Sequence, residues 1–351
     1  MRLLLAAAAG FDYNRTRVIA AGLAEVAPHD HEVFAYGRAS QAVGAELMRR
    51  AARADVVYVP PFRRGDVAFI RRHAAGRPVL FDPLITASIT RVEDYGWWWR
   101  RPFARLRDRR DLGRADHLLF DTHAHREWSV EYFGLDPDRC HVLHIGADLS
   151  RFRKTDQTPA YERATSQSDP LRVGFYGTYA PLQGAPALIE AAYLLRHRAD
   201  IAFELIGDLD GHHPEQRAAA RFGGGRITYI PYLPYDELAA RVAGYDACAG
   251  IFGPSVKAAV VIPNKVYHYA ALGRPILTRD TPGLREVLPP GEHVLGTTTE
   301  PRDIAAAVER LADDSGLRAR LGRAAEARMR ERFTAAYVAA ELLRIARRVA
   351  G

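Results

Sequence analysis

Short apolar runs alternate with segments of helical period along the whole chain. Residues 3–9, 56–59, 79–81, 117–120 and 141–143 form apolar runs, the pattern of strands buried on both faces. Residues 17–26 and 45–54 carry helical spacing between them. The pattern restarts at 173–176 and continues at 202–206, 227–230, 247–251, 275–278 and 293–295. Helices are expected over 185–195, 236–243 and 304–312, and the tail 315–349 reads as amphipathic helix. Alternating strand and helix predicts parallel sheets with right-handed crossovers. The polar stretch 151–170, ending Thr165-Ser166-Gln167-Ser168-Asp169-Pro170, reads as a linker between two such runs. The expected fold class is therefore α/β. Two doubly wound Rossmann-like domains, 1–150 and 171–333, would face a cleft and hold ligands at the carboxyl ends of their strands.

Composition supports a folded chain. Its 351 residues suffice for two α/β domains, and 48% hydrophobic with 26% charged residues excludes a disordered protein. Cys140 and Cys248 lie far apart without ligand-type neighbours, which argues against a disulfide scaffold or a zinc site and suits a reducing cytoplasm. The apolar start, Met1-Arg2-Leu3-Leu4-Leu5-Ala6, runs directly into Asp12 and Arg15, so it reads as a first strand and not a signal peptide. No stretch reaches the ~18 apolar residues of a spanning helix. The net charge of +7 permits an anionic ligand or surface. The positive charge concentrates at 100–114 without any nucleic-acid motif beside it, so no nucleic-acid partner is expected.

The most informative stretch is Pro263-Asn264-Lys265-Val266-Tyr267-His268-Tyr269-Ala270-Ala271-Leu272-Gly273-Arg274-Pro275. The chain has three lysines, Lys154, Lys257 and Lys265, against a large excess of arginine, and two asparagines, Asn14 and Asn264. Two lysines and one asparagine thus fall in or just before one segment. A lysine is a compact point charge suited to phosphate. Asn264 is expected to cap a helix over 266–272 that Gly273 ends. A helix N-terminus with a lysine beside it forms an anion site.

This segment, with Asp280-Thr281-Pro282-Gly283-Leu284-Arg285-Glu286 after it, resembles the donor-binding core of GT-B glycosyltransferases of the GT4 type. Val173-Gly174-Phe175-Tyr176-Gly177-Thr178, continuing through Gly184, resembles the first strand and glycine loop of that family's C-terminal domain. Arg15-Thr16-Arg17-Val18 resembles the start of the N-terminal domain in a bacterial subgroup. The resemblance implies a second domain that holds a nucleotide sugar, a first domain that holds the acceptor, and a C-terminal helix at 334–351 crossing back to the first. Gly177, Thr178 and Gly207 would bring backbone close to phosphate, and Tyr232 would stand near the base. Lys257 and Lys265 would reach the diphosphate, with Asn264 and His268 completing the donor site. Gly10, Asn14 and Arg15 would face the acceptor. Asp82 sits near where the family places a histidine that touches the transferred sugar, and joins the two lysines as a catalytic candidate.

The chain departs from the resembled pattern at four places. Thr178 and Gln183 stand where many relatives carry arginine and lysine, and Val260 and His268 where they carry glutamates. The implied activity is transfer of a sugar from a nucleotide diphosphate, with retention of configuration and without a metal or other cofactor. A non-catalytic nucleotide-sugar-binding or scaffold protein, or an epimerase or phosphorylase of the same architecture, are the rival readings. Asp208-Leu209-Asp210 spells a metal-binding triplet, with His212-His213 behind it, but the resembled family needs no metal. His123, after a strand, keeps a functional reading, while His141 and His144 read as structural. Trp97, Trp98 and Trp99, followed by Arg100, Arg101 and Arg105, match an interfacial segment on anionic lipid. A peripheral position on the inner membrane face and a lipid-linked acceptor follow from that reading. Packing of the rings in a core is its alternative.

Overall fold

The computed structural model describes residues 1–153, 169–207 and 226–351. Asp208, Asp210, His212, His213, Lys154 and most of the expected linker lie outside them. The chain divides into two units, Met1–Asp148 with Arg332–Gly351, and Leu149–Glu331.

The first unit holds strands β1 (Leu3–Ala7), β2 (His31–Ala35), β3 (Val56–Val59), β4 (Val79–Phe81), β5 (His117–Phe120) and β6 (Cys140–Val142). They form one sheet in the order β2-β1-β3-β4-β5-β6. The pairings are parallel, with Leu3 opposite both His31 and Val56. Its helices are α1 (Asn14–Val26), α2 (Gln41–Ala51), α3 (Arg64–Arg72), α4 (Arg101–Leu112) and α5 (His123–Phe133). The second unit holds β7 (Leu171–Tyr176), β8 (Ile201–Ile206), β9 (Ile227–Ile230), β10 (Ala247–Ala249), β11 (Ile276–Arg279) and β12 (Leu295–Thr297), in the order β12-β11-β10-β7-β8-β9. Its described helices are α6 (Ala185–Leu194), α7 (Tyr235–Ala243), α8 (Val256–Val260), α9 (Asn264–Ala271), α10 (Pro282–Val287), α11 (Pro301–Asp313) and α12 (Ser315–Arg332). The last helix, α13 (Ala335–Val349), belongs to the first unit.

β1 and β3 are buried along their length and β7 at all but Arg172 and Tyr176, as their apolar runs require. β2 escapes a reading by apolar runs. It is an edge strand, His31-Glu32-Val33-Phe34-Ala35, without a fully buried residue. One core layer of the first unit joins Leu3, Leu5, Val18 and Leu23 to Val338, Leu342 and Ile345, so α13 closes the face that α1 covers. The other layer packs α2, α3 and α5 residues such as Leu47, Ile70 and Phe133 on the opposite face. The second unit's core gathers Val173, Phe175, Leu188, Phe203 and Val308.

Two local expectations need correction. α1 starts at Asn14 and not at residue 17, because Asn14, Arg15 and Thr16 are buried polar residues at a helix start. Asn264 does not cap α9. It is the first helical residue, Pro263 occupies the cap position in an extended conformation, and no side chain caps the turn. The expected end holds, since Gly273 adopts φ +64°, the left-handed conformation that glycine tolerates. Among the described residues no helix is long and apolar enough to cross a membrane.

The α1–α13 packing depends on Gly22, where a Cβ would collide with the Ala335 carbonyl and the Ala339 side chain. Gly22→Leu is expected to cost about 1–3 kcal/mol through overpacking. Urea unfolding checks this; an unchanged midpoint would show that the two helices part without cost.

Candidate functional site

The parallel pairing of β7, β8 and β9 continues one residue past their carboxyl ends. The Gly177 N–H donates to the Ile206 carbonyl at 3.0 Å, and the Gly207 N–H to the Ile230 carbonyl at 3.0 Å. Gly207 holds φ +156°, and a Cβ there would strike the Gly177 carbonyl and the Tyr179 ring. Gly184, at φ +64°, stands against the Phe252–Gly253 backbone and leads into α6. Side chains at these glycines would force the loops apart, so the sequence reserves space for backbone at the strand ends.

Lys265, in the first turn of α9, reaches into this corner. It is 3% exposed, and its Nζ stands 3.5 Å from the centroid of the Phe175 ring. The ammonium is buried without a hydrogen-bond partner. Burial pushes its pKa well below that of an ordinary lysine. A Cβ on Gly177 would lie 3.1 Å from Nζ and 3.3 Å from the Gln183 side chain, whose Oε1 is also buried and unpartnered. Gly177, Gly207 and Lys265 are therefore brought together, and Gln183 joins them. The cation–π contact offsets only part of the desolvation of an ammonium. The arrangement is suited to an anion that would supply the missing counter-charge.

The remaining donor candidates spread around it. Asn264 is half-buried beside Lys265, and Thr178 is exposed just beyond Gly177. Lys257 is buried on the short α8, where Val260 also lies. Tyr232 is 68% exposed after β9. His268 is buried in an aromatic stack, with the Phe152 ring parallel at 3.7 Å. The Tyr176 hydroxyl lies 2.6 Å from its Nδ1 and the Tyr235 hydroxyl 3.1 Å from its Nε2. A neutral imidazole has one donor and one acceptor nitrogen, so these hydroxyls engage both.

In the first unit, Arg15 and Asp82 meet. The sequence offered them separate roles, but Arg15 Nε lies 2.5 Å from Asp82 Oδ2 and both side chains are fully buried. The Tyr58 hydroxyl donates to Asp82 at 3.1 Å and the Leu84 N–H at 3.2 Å. Burial pushes the Asp82 carboxyl up, while Arg15 and Tyr58 pull it back. The Arg15 guanidinium is held charged by Asp82 against its own desolvation, yet its two terminal nitrogens have no hydrogen-bond partner. Gly10, at φ +94°, lets the chain turn after β1 beside Arg63, and Asn14 is buried at the start of α1. A cavity of about 260 Å³ opens near the end of β4, lined by Phe62, Phe81, Pro83, Thr86 and Asp108 among others.

Sequence reasoning missed the Asp121–His125 pair. The carboxylate lies 2.6 Å from His125 Nδ1, both are buried, and His125 Nε2 is unpartnered. The i, i+4 spacing at a helix start was the available signal. His123, which drew a functional reading, is exposed. The tryptophan segment is open. Trp98 and Trp99 are 73% and 56% exposed, and Phe103 and Leu106 on α4 are 77% and 70% exposed. No group of three or more histidine, cysteine or acidic residues could hold a metal among the described residues.

The family described as "Glycosyl transferase-like" matches residues 187–344. A D-inositol 3-phosphate glycosyltransferase of Streptomyces bingchenggensis is 32% identical over 235 residues, covering 63% of this chain and 50% of the relative. Another, from a Nocardioides species, is 25% identical over 310 residues, 81% of this chain and 65% of the relative. The chain thus spans between half and two thirds of the length of these two relatives. Among solved structures, Anabaena Alr3699/HepE in complex with UDP and glucose superimposes with a TM-score of 0.70 at 15% identity, covering 98% of both chains. Sucrose-phosphate synthase from Thermosynechococcus elongatus gives 0.70 at 12% identity, over 99% of this chain and 98% of that one. These likenesses establish the fold expected from the sequence, two parallel six-stranded sheets with helices as in GT-B structures.

The Arg15–Asp82 pair generates a stability prediction. Asp82→Ala leaves a fully buried guanidinium uncompensated and is expected to cost about 3–5 kcal/mol. Asp82→Asn, which keeps an acceptor for Tyr58, should cost less. A urea midpoint for Asp82→Ala equal to that of the parent would mean Arg15 finds another counter-charge.

Proposed function

We propose that this chain is a glycosyltransferase that moves a sugar from a nucleotide diphosphate donor to an acceptor. The observation that carries the reading is the buried, unpartnered Lys265 amine beside the glycine loops. The UDP held by the HepE structure and the glycosyltransferase names of the relatives support the same class. The donor's diphosphate would approach the Gly177 and Gly207 backbone and the N-terminus of α9, with Lys265 as its point charge. As the sugar–oxygen bond breaks, negative charge grows on the departing phosphate, and a pre-placed cation stabilises that change. The acceptor would enter the first unit at the ends of β1 and β4, near Gly10 and Asn14. We infer retention of configuration from the resemblance to the GT4 type, and no requirement for a metal, since cation and helix dipole meet the leaving group's charge.

The acceptor is proposed to be lipid-linked. Trp98, Trp99, Phe103 and Leu106 expose large apolar surface among Arg100, Arg101, Arg105 and Arg107. Rings of this kind sit at headgroup depth, and each arginine near an anionic surface contributes about 1 kcal/mol.

Three measurements test these readings. Lys265→Ala should weaken UDP binding about tenfold or more, the loss of one charge-assisted phosphate contact of ~1.5–3 kcal/mol. Unchanged affinity in calorimetry removes Lys265 from the site. Transfer assays with a panel of nucleotide sugars should show turnover that survives chelator, whereas activity abolished by chelator and restored by manganese contradicts the metal-free reading. Separately, the protein should co-sediment with anionic vesicles and lose this on Trp98→Ala with Arg101→Glu. Equal pelleting of parent and variant excludes the segment as the contact.

A further inference from the structure

We propose that the first unit carries a second anion site, between the outer edge of β6 and one face of α13, which takes a ligand bearing two or more phosphoryl charges. A cavity of about 390 Å³ lies there. That volume is within the range of small-molecule sites. All of its lining residues belong to the first unit, so it is separate from the Lys265 corner. Among the described residues β6 pairs with β5 alone, and its outer edge and α13 both line the cavity. On α13 the lining residues Tyr337, Glu341, Arg344 and Arg348 recur at helical spacing and share one face.

The charge in this cavity is one-sided. Arg126, Arg332, Arg344 and Arg348 line it, against the single carboxylate of Glu341. Glu341 is already taken by Arg344, with Nη2 at 2.6 Å. The Arg126 guanidinium is fixed by the carbonyls of Cys140 and Pro137, both at 2.8 Å, which orient it without neutralising it. Three guanidinium charges thus remain in excess. Guanidinium forks match phosphoryl oxygens in geometry and charge.

The histidines report the same field. His141 lies in the cavity wall, with its Nε2 3.1 Å from His117 Nδ1. Burial, the neighbouring His117, and the Arg348 and Arg126 charges push it down to about 4. It is therefore neutral near pH 7, and the cations around it are the arginines. At the other end the walls become aromatic. His144 meets Phe333 edge to face at 5.6 Å, and Tyr337 follows at 6.5 Å from Phe333. A ligand with a phosphorylated end and a carbon ring fits both halves. A soluble organic bisphosphate and a lipid headgroup ending in a phosphomonoester share this chemistry.

The test uses the full chain carrying Lys265→Ala, so that the donor corner does not contribute. Calorimetry with inorganic pyrophosphate should still detect one site, with glucose 1,6-bisphosphate competing for it. Arg344→Ala with Arg348→Ala should weaken pyrophosphate at least tenfold, and the double lysine variant should recover most of it. With Lys265 intact, the double alanine variant should bind UDP as the parent does, so this site and the donor site fail independently. In a chain also carrying Trp98→Ala and Arg101→Glu, competition by phosphatidic acid vesicles, whose headgroup is a phosphomonoester, assigns a lipid headgroup, and its absence assigns a soluble phosphate. No detectable pyrophosphate site, or one indifferent to both arginine changes, overturns the proposal.

Discussion

A lysine amine removed from water without a counter-charge is the constraint on which the Lys265 corner depends. Lys265 is held over the Phe175 ring, with no hydrogen-bond partner for its Nζ. Such a group remains charged only at a large cost, so burial depresses its pKa. The glycines explain why the cost is tolerated. Gly177 and Gly207 keep side chains out of the corner, which leaves backbone and one lysine at the strand ends. A phosphate there would restore the charge and meet the helix N-terminus together, so ligand binding and protonation are coupled.

The first unit handles a buried cation differently. Arg15 is as buried as Lys265, but Asp82 stands against its Nε and Tyr58 supports the carboxylate. That pair is internally compensated on one side of the guanidinium, and the terminal nitrogens remain available. The two units thus repeat one architecture while differing in electrostatics. The second buries a lysine amine beside glycines without a counter-charge, and the first balances a guanidinium beneath the ends of β1 and β4. The chemistry of each half rests on its own side chains and not on the fold they share.

Much of the fold was legible because strands buried on both faces write themselves as apolar runs. β1, β3 and β5 are examples. β2 was not legible, since an edge strand with His31 and Glu32 has no such run. The start of α1 was hidden because Asn14, Arg15 and Thr16 look like loop residues until Asp82 is brought beside them, 67 positions away in sequence. Lys265 could be picked out by rarity in a chain that otherwise uses arginine. Its lack of a partner could not, because that is a property of Phe175, Gly177 and Gln183 assembled around it. The His268 stack was likewise out of reach. Phe152 and Tyr235 carry no local signal that they close on one imidazole. Exposure of Trp98 and Trp99 was a choice between core and surface that sequence left open, and the rings lie outside the core.

The central claim is that an anionic donor restores the charge of Lys265. Calorimetry of UDP binding, run in two buffers of different ionisation enthalpy at mildly alkaline pH above the diphosphate's own titration, tests it most directly. The account predicts that the chain takes up a proton as UDP binds, and that Lys265→Met abolishes this uptake. Equal heats in both buffers for the parent chain, or an uptake that survives Lys265→Met, would contradict it.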